Sequence, residues 1–287
     1  MPLLFTALLA VAQAYDPEIE AVMRHQQKER AARSQPVPAA PSVQTRTDGS
    51  LPVPEKYAAS FQACLDAAGE SPDEGVAFAQ KWRLEGGTFY ARHCMGFAYA
   101  RAERWAPAVV AFEQAADEAE RAGEMAQSAR LWAQAGNAAL AGGDAAKART
   151  DFDAALARGL PDGLEKGEVH LDRARALVAL GELEAARESF DVALEQASSD
   201  PLAWLLSATL ARRMGQMALA QGHIARAVKL SPDDASVALE EGNIAILTDH
   251  EDIARMAWGR AVKLAPDSPA GKAAADNLGR LPGGAAP

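Results

Sequence analysis

Small and large apolar residues recur along this chain with a period of about 34 residues. The segment ARAVKLSPDDA at 225–235 is followed by GRAVKLAPDSPA at 259–270, which places Ala227 and Ala261 34 positions apart. Five copies share an alanine, a large residue four positions later and an alanine three positions after that, which is the spacing of one helix face. The copies are Ala108–Phe112–Ala115, Ala148–Phe152–Ala155, Ala186–Phe190–Ala193, Ala220–Ile224–Ala227 and Ala254–Trp258–Ala261.

A second small residue lies twelve positions before the first alanine of each copy. These residues are Gly96, Gly136, Ala174, Ala208 and Gly242. Each copy therefore predicts two amphipathic helices whose backbones approach closely at the small residue, with the large residue filling the space between pairs. Because one helix pair cannot cover its own apolar face, the pairs must stack.

The pattern resembles the tetratricopeptide repeat family, whose aromatic, small residue, alanine, aromatic and closing proline match these positions. Pro232 and Pro266 close the last two copies, and the resemblance covers 89–268 with a degenerate copy over 56–88. It implies an all-α fold: a right-handed superhelical solenoid of about five helix pairs, one degenerate amino-terminal pair and a capping helix. The family's leucine before the small residue is absent, which predicts looser first helices. Its replacements are Met95, Ala135, Arg173, Ser207 and Glu241.

The predicted domain organisation has four parts. Residues 1–14 form a signal peptide, 15–34 a polar helix, 35–54 a disordered proline-rich linker and 55–283 the solenoid domain. Within the solenoid, the predicted repeats and cap are 56–88, 89–122, 129–162, 167–200, 201–234, 235–268 and 269–280.

Composition supports a helical protein and restricts the classes of partner that it can bind. Aromatic residues make up only 6% of the chain, and no stretch shows sustained alternation of apolar and polar residues, so no sheet is expected. The formal net charge of -10 argues against a nucleic-acid partner, because phosphate binding requires a basic surface. No segment reaches the length of a membrane span, so an integral membrane protein is not expected.

The amino terminus predicts export. The apolar run MPLLFTALLAVAQA ends in Ala12-Gln13-Ala14, a small-x-small site at which a signal peptidase cuts, here before Tyr15. The run lacks a basic residue at its start. The predicted location is therefore the periplasm, with cleavage after Ala14, and the alternative is a cytoplasmic protein with an apolar tail.

The two cysteines lie 30 residues apart, about one repeat, which places Cys64 and Cys94 on neighbouring first helices. In an oxidising compartment we expect them to form a disulfide, and the alternative is two separately buried thiols. His93 adjoins Cys94, but the remaining histidines do not form metal-ligand spacing with it, so no metal site is expected.

The sequence contains none of the common catalytic or phosphate-binding motifs. G-x-S-x-G, H-E-x-x-H and a glycine-rich phosphate loop are all missing, and the glycines fall at turns between helices. We therefore expect a protein without enzymatic activity, cofactor or small-molecule substrate.

The resemblance implies a concave groove lined by the first helix of each pair, which accepts a peptide or a partner helix. Asn137 and Asn243 follow the small residue directly, where an asparagine in this family can hold a ligand's backbone, and Arg175 and Arg212 are expected as exposed cations that read an acidic group. The predicted groove residues are His93, Phe97, Arg101, Arg130, Gln134, Asn137, Asp172, Arg175, Leu205, Thr209, Arg212, Arg213, Leu239, Glu240 and Asn243.

The sequence is consistent with two functions. The first is an adaptor that holds a peptide or helix of a partner protein in the groove. The second is an assembly component tethered through its amino-terminal helix and linker, for which the groove is not the main interface. The family's cationic clamp for a carboxy-terminal carboxylate is not reproduced, because Ala133, Glu168 and Asp172 surround Asn137.

Overall fold

A computed structural model describes residues 53–281 of the chain. The predicted signal peptide, polar helix and residues 35–52 of the linker lie outside the described residues. Thirteen helices and no strand occupy the described part. They are α1 Glu55–Glu70, α2 Pro72–Leu84, α3 Thr88–Arg101, α4 Trp105–Arg121, α5 Met125–Ala141, α6 Ala145–Ala157, α7 Leu164–Leu180, α8 Leu183–Gln196, α9 Pro201–Arg213, α10 Met217–Leu230, α11 Ala235–Leu247, α12 Glu251–Leu264 and α13 Pro269–Arg280.

The chain divides into two compact units at residues 231 and 232. Of the described residues, 53–231 form the larger unit, with α1 to α10, and 232–281 form the smaller unit, with α11 to α13. In both units, consecutive helices pack against each other as antiparallel pairs. The odd-numbered helices α1 to α11 are the first helices of their pairs, and the even-numbered helices are the second.

The predicted contact between small and large residues is present within three of the pairs. A Cβ atom added at Gly96 would lie 2.6 Å from the ring of Phe112, and one added at Gly136 would lie 2.7 Å from Phe152. At Gly242 the added atom would lie 2.4 Å from Trp258 Nε1. Glycine is needed at these sites because the aromatic ring occupies the space of a side chain, and this packing sets the distance between the paired helices.

Several helices begin at a capping residue that the sequence supplies. Its side chain accepts a hydrogen bond from a backbone N–H of the first turn, a group that has no partner within the helix. Proline at the first helical position assists three of these starts. The caps are Ser71, Asp144, Asp200, Asp234 and Ser268.

Three of the residues that replace the family's leucine form polar contacts with the second helix of their own pair. Arg173 Nε donates to Asp153 Oδ1 at 2.6 Å, and its guanidinium also donates to Ser189. Ser207 Oγ and His223 Nδ1 lie 2.9 Å apart. In the smaller unit, Arg260 Nη2 donates to Glu241 Oε2 at 2.6 Å, so at these three positions polar contacts replace the leucine packing.

The Cys64–Cys94 disulfide joins α1 to α3, with Cα atoms 6.2 Å apart. Both cysteines are fully buried, so the bond lies inside the core of the larger unit rather than at its surface. The bond links two successive first helices across the intervening helix α2 and closes a loop of about one repeat.

Candidate protein-binding surface

The predicted groove residues lie on α3, α5, α7 and α9 in the larger unit and on α11 in the smaller unit. Their surroundings differ from helix to helix. Some side chains hold the helices together, and others are exposed to solvent.

His93 serves as a structural contact between α3 and α5. Its ring lies 5.1 Å from the ring of Phe61 and 6.1 Å from that of Phe112, measured between centroids. Burial lowers the pKa of His93 to about 4, against a smaller opposing effect of its hydrogen bond to Gln134. The imidazole is therefore neutral at pH 7, and Phe97 beside it is half-buried.

Arg130 joins α5 to α7 through a bidentate ion pair. Its Nη2 donates to Glu165 Oε2 at 2.8 Å, and its Nε donates to Glu165 Oε1. A guanidinium whose Nε and Nη2 both donate to one carboxylate has a fixed orientation. This arginine therefore stabilises the stacking of two first helices.

The expectation that Arg175 is an exposed cation was wrong. Its side chain is only 8% exposed, and its Nη1 donates to Asp172 Oδ1 at 2.7 Å. Asp172 is equally enclosed, with 6% of its side chain exposed. The two residues neutralise each other because they lie three positions apart on one helix face, and reversing the charge of Arg175 would leave two buried carboxylates together.

On α9, burial divides the four predicted residues into two groups. Leu205 and Thr209 are buried, and Thr209 Oγ1 donates to the carbonyl oxygen of Leu205 at 3.0 Å. Arg212 is half-buried, and Arg213 in the same last turn is exposed. Accessibility on this helix therefore rises toward its carboxyl end.

The residues that remain accessible lie toward the carboxyl ends of the first helices. Arg101 on α3, Asn137 on α5 and Arg213 on α9 are exposed. Sequence reasoning missed Leu140 on α5 and Val178 on α7, which are half-buried. Both lie four positions after the small residue of their helix, and that spacing is the signal by which they could have been found. We call these five residues the helix-end surface.

In the smaller unit, the predicted residues belong to the packing of the last helices. Asn243 Oδ1 accepts hydrogen bonds from Trp258 Nε1 and Asn277 Nδ2, each at 3.1 Å, and its Nδ2 donates to Glu240 Oε2 at 3.3 Å. Leu239 and Glu240 are buried. Both ends of the Asn243 amide are thus engaged within the unit, and this geometry does not support its predicted role as a ligand-binding amide.

Among the titratable groups, Asp151 on the second helix α6 is the strongest candidate for a catalytic role on the basis of its burial. It is fully buried, and burial raises the pKa of its carboxyl to about 6, although the ammonium group of Lys147 opposes the shift. Lys147 also pairs with Glu113 on α4. This cluster ties successive second helices together and lies on no first helix.

Residues 53–281 contain neither a candidate metal site nor a candidate membrane span. No group of three or more histidine, cysteine and acidic side chains there could hold a metal ion. Within the same residues, no helix combines the length and the apolar character that a membrane crossing requires.

Comparison with known proteins identifies the repeats. A family model described as tetratricopeptide repeat matches residues 133–201 and 205–269. PilF of Pseudomonas aeruginosa has a TM-score of 0.61 at 14% identity, over 76% of this chain and 97% of its own. YrrB, a repeat protein described as having an unusual peptide-binding site, has a TM-score of 0.54 at 17% identity, over 69% of this chain and 96% of its own.

The MamA protein is similar as well, with a TM-score of 0.53 at 12% identity, over 62% of this chain and 92% of its own. No curated protein matches the sequence significantly. At these identities the likeness to solved structures is one of fold. Together with the helix pairs, it confirms the predicted all-α repeat solenoid, in which residues 133–201 and 205–269 match the tetratricopeptide repeat.

Proposed function

We propose that this protein is a noncatalytic interaction scaffold that holds a peptide or helix of a partner protein on its first helices. The observation that carries the proposal is the contrast between Asn137 and its neighbours. The Asn137 side chain is exposed, and within the described residues its amide makes no hydrogen bond, whereas Arg130 and Gln134 on the same helix face bond to adjacent helices. An amide both donates and accepts, which is what an extended peptide backbone requires.

Two features support a scaffold rather than an enzyme. Asp151, with its raised pKa, is fully buried, and His93, with its lowered pKa, is half-buried between aromatic rings, so both groups serve helix packing. The fold also agrees with this function, since YrrB, which shares it, has a peptide-binding site.

The scaffold acts in the periplasm under this proposal. The apolar run at residues 1–14 and the small-x-small sequence Ala12-Gln13-Ala14 that ends it support export, and the Cys64–Cys94 disulfide supports an oxidising compartment. Amino-terminal sequencing of the native protein is expected to begin at Tyr15. Recovery of intact Met1 from the cytosol would instead favour the cytoplasmic alternative.

The binding proposal is tested by partner capture from envelope extract with the full chain. The double variant Asn137→Ala and Arg213→Ala is expected to lose a partner that the wild type retains. Gln80→Ala with Arg83→Ala is the matched control, because both residues are exposed on the second helix α2. Equal capture by all three proteins, together with loss of capture on deleting residues 15–54, would favour an assembly component tethered by its amino terminus.

A further inference from the structure

The helix-end surface has an apolar centre and a cation at each end. Leu140 and Val178 lie on the middle helices α5 and α7; both are half-buried, and the enclosed part of each side chain packs against the adjacent core. Arg101 lies in the last turn of α3 and Arg213 in the last turn of α9, and both are exposed. All of these helices belong to the larger unit.

These two arginines differ from most other arginines of residues 53–281, which form ion pairs with carboxylates. Arg149, Arg187 and Arg255 are each paired with a carboxylate at 2.7 to 3.1 Å. Arg213 has no ion pair within the described residues, and Arg101 donates to the carbonyl oxygen of Gly69 at 3.4 Å, which is long for a hydrogen bond. In a chain of net charge -10, both guanidinium groups keep most of their capacity to bind an anion.

The spacing of the arginines sets the size of a ligand. If each of the three steps between successive first helices, from α3 to α9, takes the spacing of packed helices, about 10 Å, Arg101 and Arg213 are separated by about 30 Å. An extended chain rises about 3.3 Å per residue, so about nine residues span this distance. A peptide of this length could reach both arginines at once.

We infer that the helix-end surface binds an extended segment of a partner protein that has an apolar centre and an acidic residue near each end. The inference rests on the proposed scaffold function and specifies its ligand. Charge complementarity at Arg101 and Arg213 selects the acidic ends and fixes the register of the peptide. Leu140 and Val178 contact the apolar centre, and the Asn137 amide holds the backbone.

The test uses fluorescence anisotropy with the full chain and labelled synthetic peptides of nine residues. One peptide has glutamate at both ends of an apolar centre, a second has lysine at both ends of the same centre, and a third keeps the glutamates around a serine and glycine centre. The first is expected to bind at least tenfold more tightly than either of the others. Its affinity is expected to fall as the salt concentration rises.

The charge-reversal variant Arg101→Glu with Arg213→Glu is expected to lose binding of the glutamate peptide at least tenfold and to gain binding of the lysine peptide. Arg83→Glu with Arg121→Glu is the matched control. These two exposed arginines lie in the last turns of the second helices α2 and α4, so the change of charge and helix position is the same. The control variant is expected to bind like the wild type.

Three results would overturn the inference. They are equal binding of the glutamate and lysine peptides, unchanged binding after charge reversal at Arg101 and Arg213, and absence of binding by all three peptides. The scaffold function has its own readout, since partner capture that depends on Asn137 and Arg213 would survive any of these results with a ligand of different chemistry.

Discussion

The two ends of the described chain, α1 to α3 and α11 to α13, are stabilised by different means. Around α1 to α3, the disulfide between Cys64 and Cys94 lies among packed aromatic rings. Ring centroids in this cluster are 4.2 to 6.4 Å apart. Its members are Tyr57, Phe61, Trp82, Phe89 and Tyr90.

The last helices, α11 to α13, contain neither cysteine nor clustered aromatic rings. Here Asn243 bonds to both Trp258 on α12 and Asn277 on α13. The backbone of α13 approaches the preceding loop so closely that a Cβ atom added at Gly271 would lie 2.0 Å from the carbonyl oxygen of Ala265. This end is held by hydrogen bonds and by the close packing of small residues around its own apolar core.

The difference shows that the end helices of one repeat array can respond to different conditions. Helices α1 to α3 depend on a covalent bond and on the neutral, half-buried imidazole of His93, so they are expected to respond to reductant and to pH. The last helices depend on close approach, so they are expected to respond to added methyl groups.

The largest expected effect comes from removing the disulfide. Cys64→Ala with Cys94→Ala should lower the free energy of unfolding by about 3 to 4 kcal/mol, because the bond restricts a loop of about 30 residues in the unfolded chain. Urea denaturation measures the loss. Wild type in reductant is the control for lost sulfur packing, and unchanged stability in both samples would contradict the prediction.

The smaller unit is expected to be sensitive to a single methyl group. Gly242→Ala should lower the free energy of unfolding by about 1 to 3 kcal/mol, because the new Cβ atom overlaps Trp258 Nε1 at 2.4 Å. Thermal unfolding measures this. Gly259→Ala in α12 is the matched control, since nothing lies within 4 Å of its added Cβ atom, and it should stabilise by about 0.5 to 1 kcal/mol. Equal effects at both glycines would refute the packing argument.

Acid should weaken the region around α3 through His93. The pKa of its folded form, about 4, lies below the ordinary value of 6.5, so on acidification the unfolded chain takes up the proton first. The contribution of neutral His93 to the free energy of unfolding is therefore fully present above pH 6.5. It falls as the pH drops from 6.5 toward 4, with a loss of about 2 kcal/mol at pH 5.

His93→Gln is the variant that isolates this effect. Urea denaturation at pH 7 and pH 5 measures the free energy of unfolding of both proteins. Between these pH values the wild type should lose about 2 kcal/mol more than the variant. A difference that does not change with pH would show that His93 protonates equally well in the folded protein.

The smallest expected effect concerns the turns between paired helices, one near each end of the described chain, in which a residue other than glycine has a positive φ angle. Glu103 and Asp249 have φ angles of 55° and 60°, at turns where other pairs place glycine, such as Gly143 with φ 84°. Glu103→Gly should raise the free energy of unfolding by about 0.5 to 1 kcal/mol, because the left-handed conformation strains a residue with a Cβ atom. Asp249→Gly should gain less, because aspartate tolerates this region better. Thermal melts measure both, and a loss at Glu103 would contradict the prediction.

The fold could be predicted because its strongest signal is local and repeated. Gly136 and Phe152 lie 16 positions apart, as do Gly96 and Phe112, and each pair meets in the structure. A spacing that recurs with the period of the helix pairs identifies which side chains face each other. The whole of this signal lies within a single helix pair.

The replacements of the family's leucine were harder to interpret. Ser207 and Glu241 look like unfavourable core residues until their partners on the second helix, His223 and Arg260, are identified. Polar contacts of this kind depend on the direction of two side chains, which the apolar pattern does not contain. The predicted loosening of the first helices missed this compensation.

The candidate surface was only partly predictable, because exposure depends on charge pairing. Asp172 and Arg175 lie three positions apart, a spacing at which an ion pair could have been anticipated. Asn243 and Asn277 lie 34 positions apart, so their bond connects one repeat position to the equivalent position of the capping helix. Asn137 has no equivalent partner within the described residues and is exposed.

Hydrogen exchange of the full chain, with and without its captured partner, tests the central claim most directly. Binding on the first helices predicts slower exchange in the carboxyl halves of α3, α5, α7 and α9, with the second helices α4, α6, α8 and α10 unchanged. Slower exchange confined to the second helices or to residues 15–54 would contradict the account.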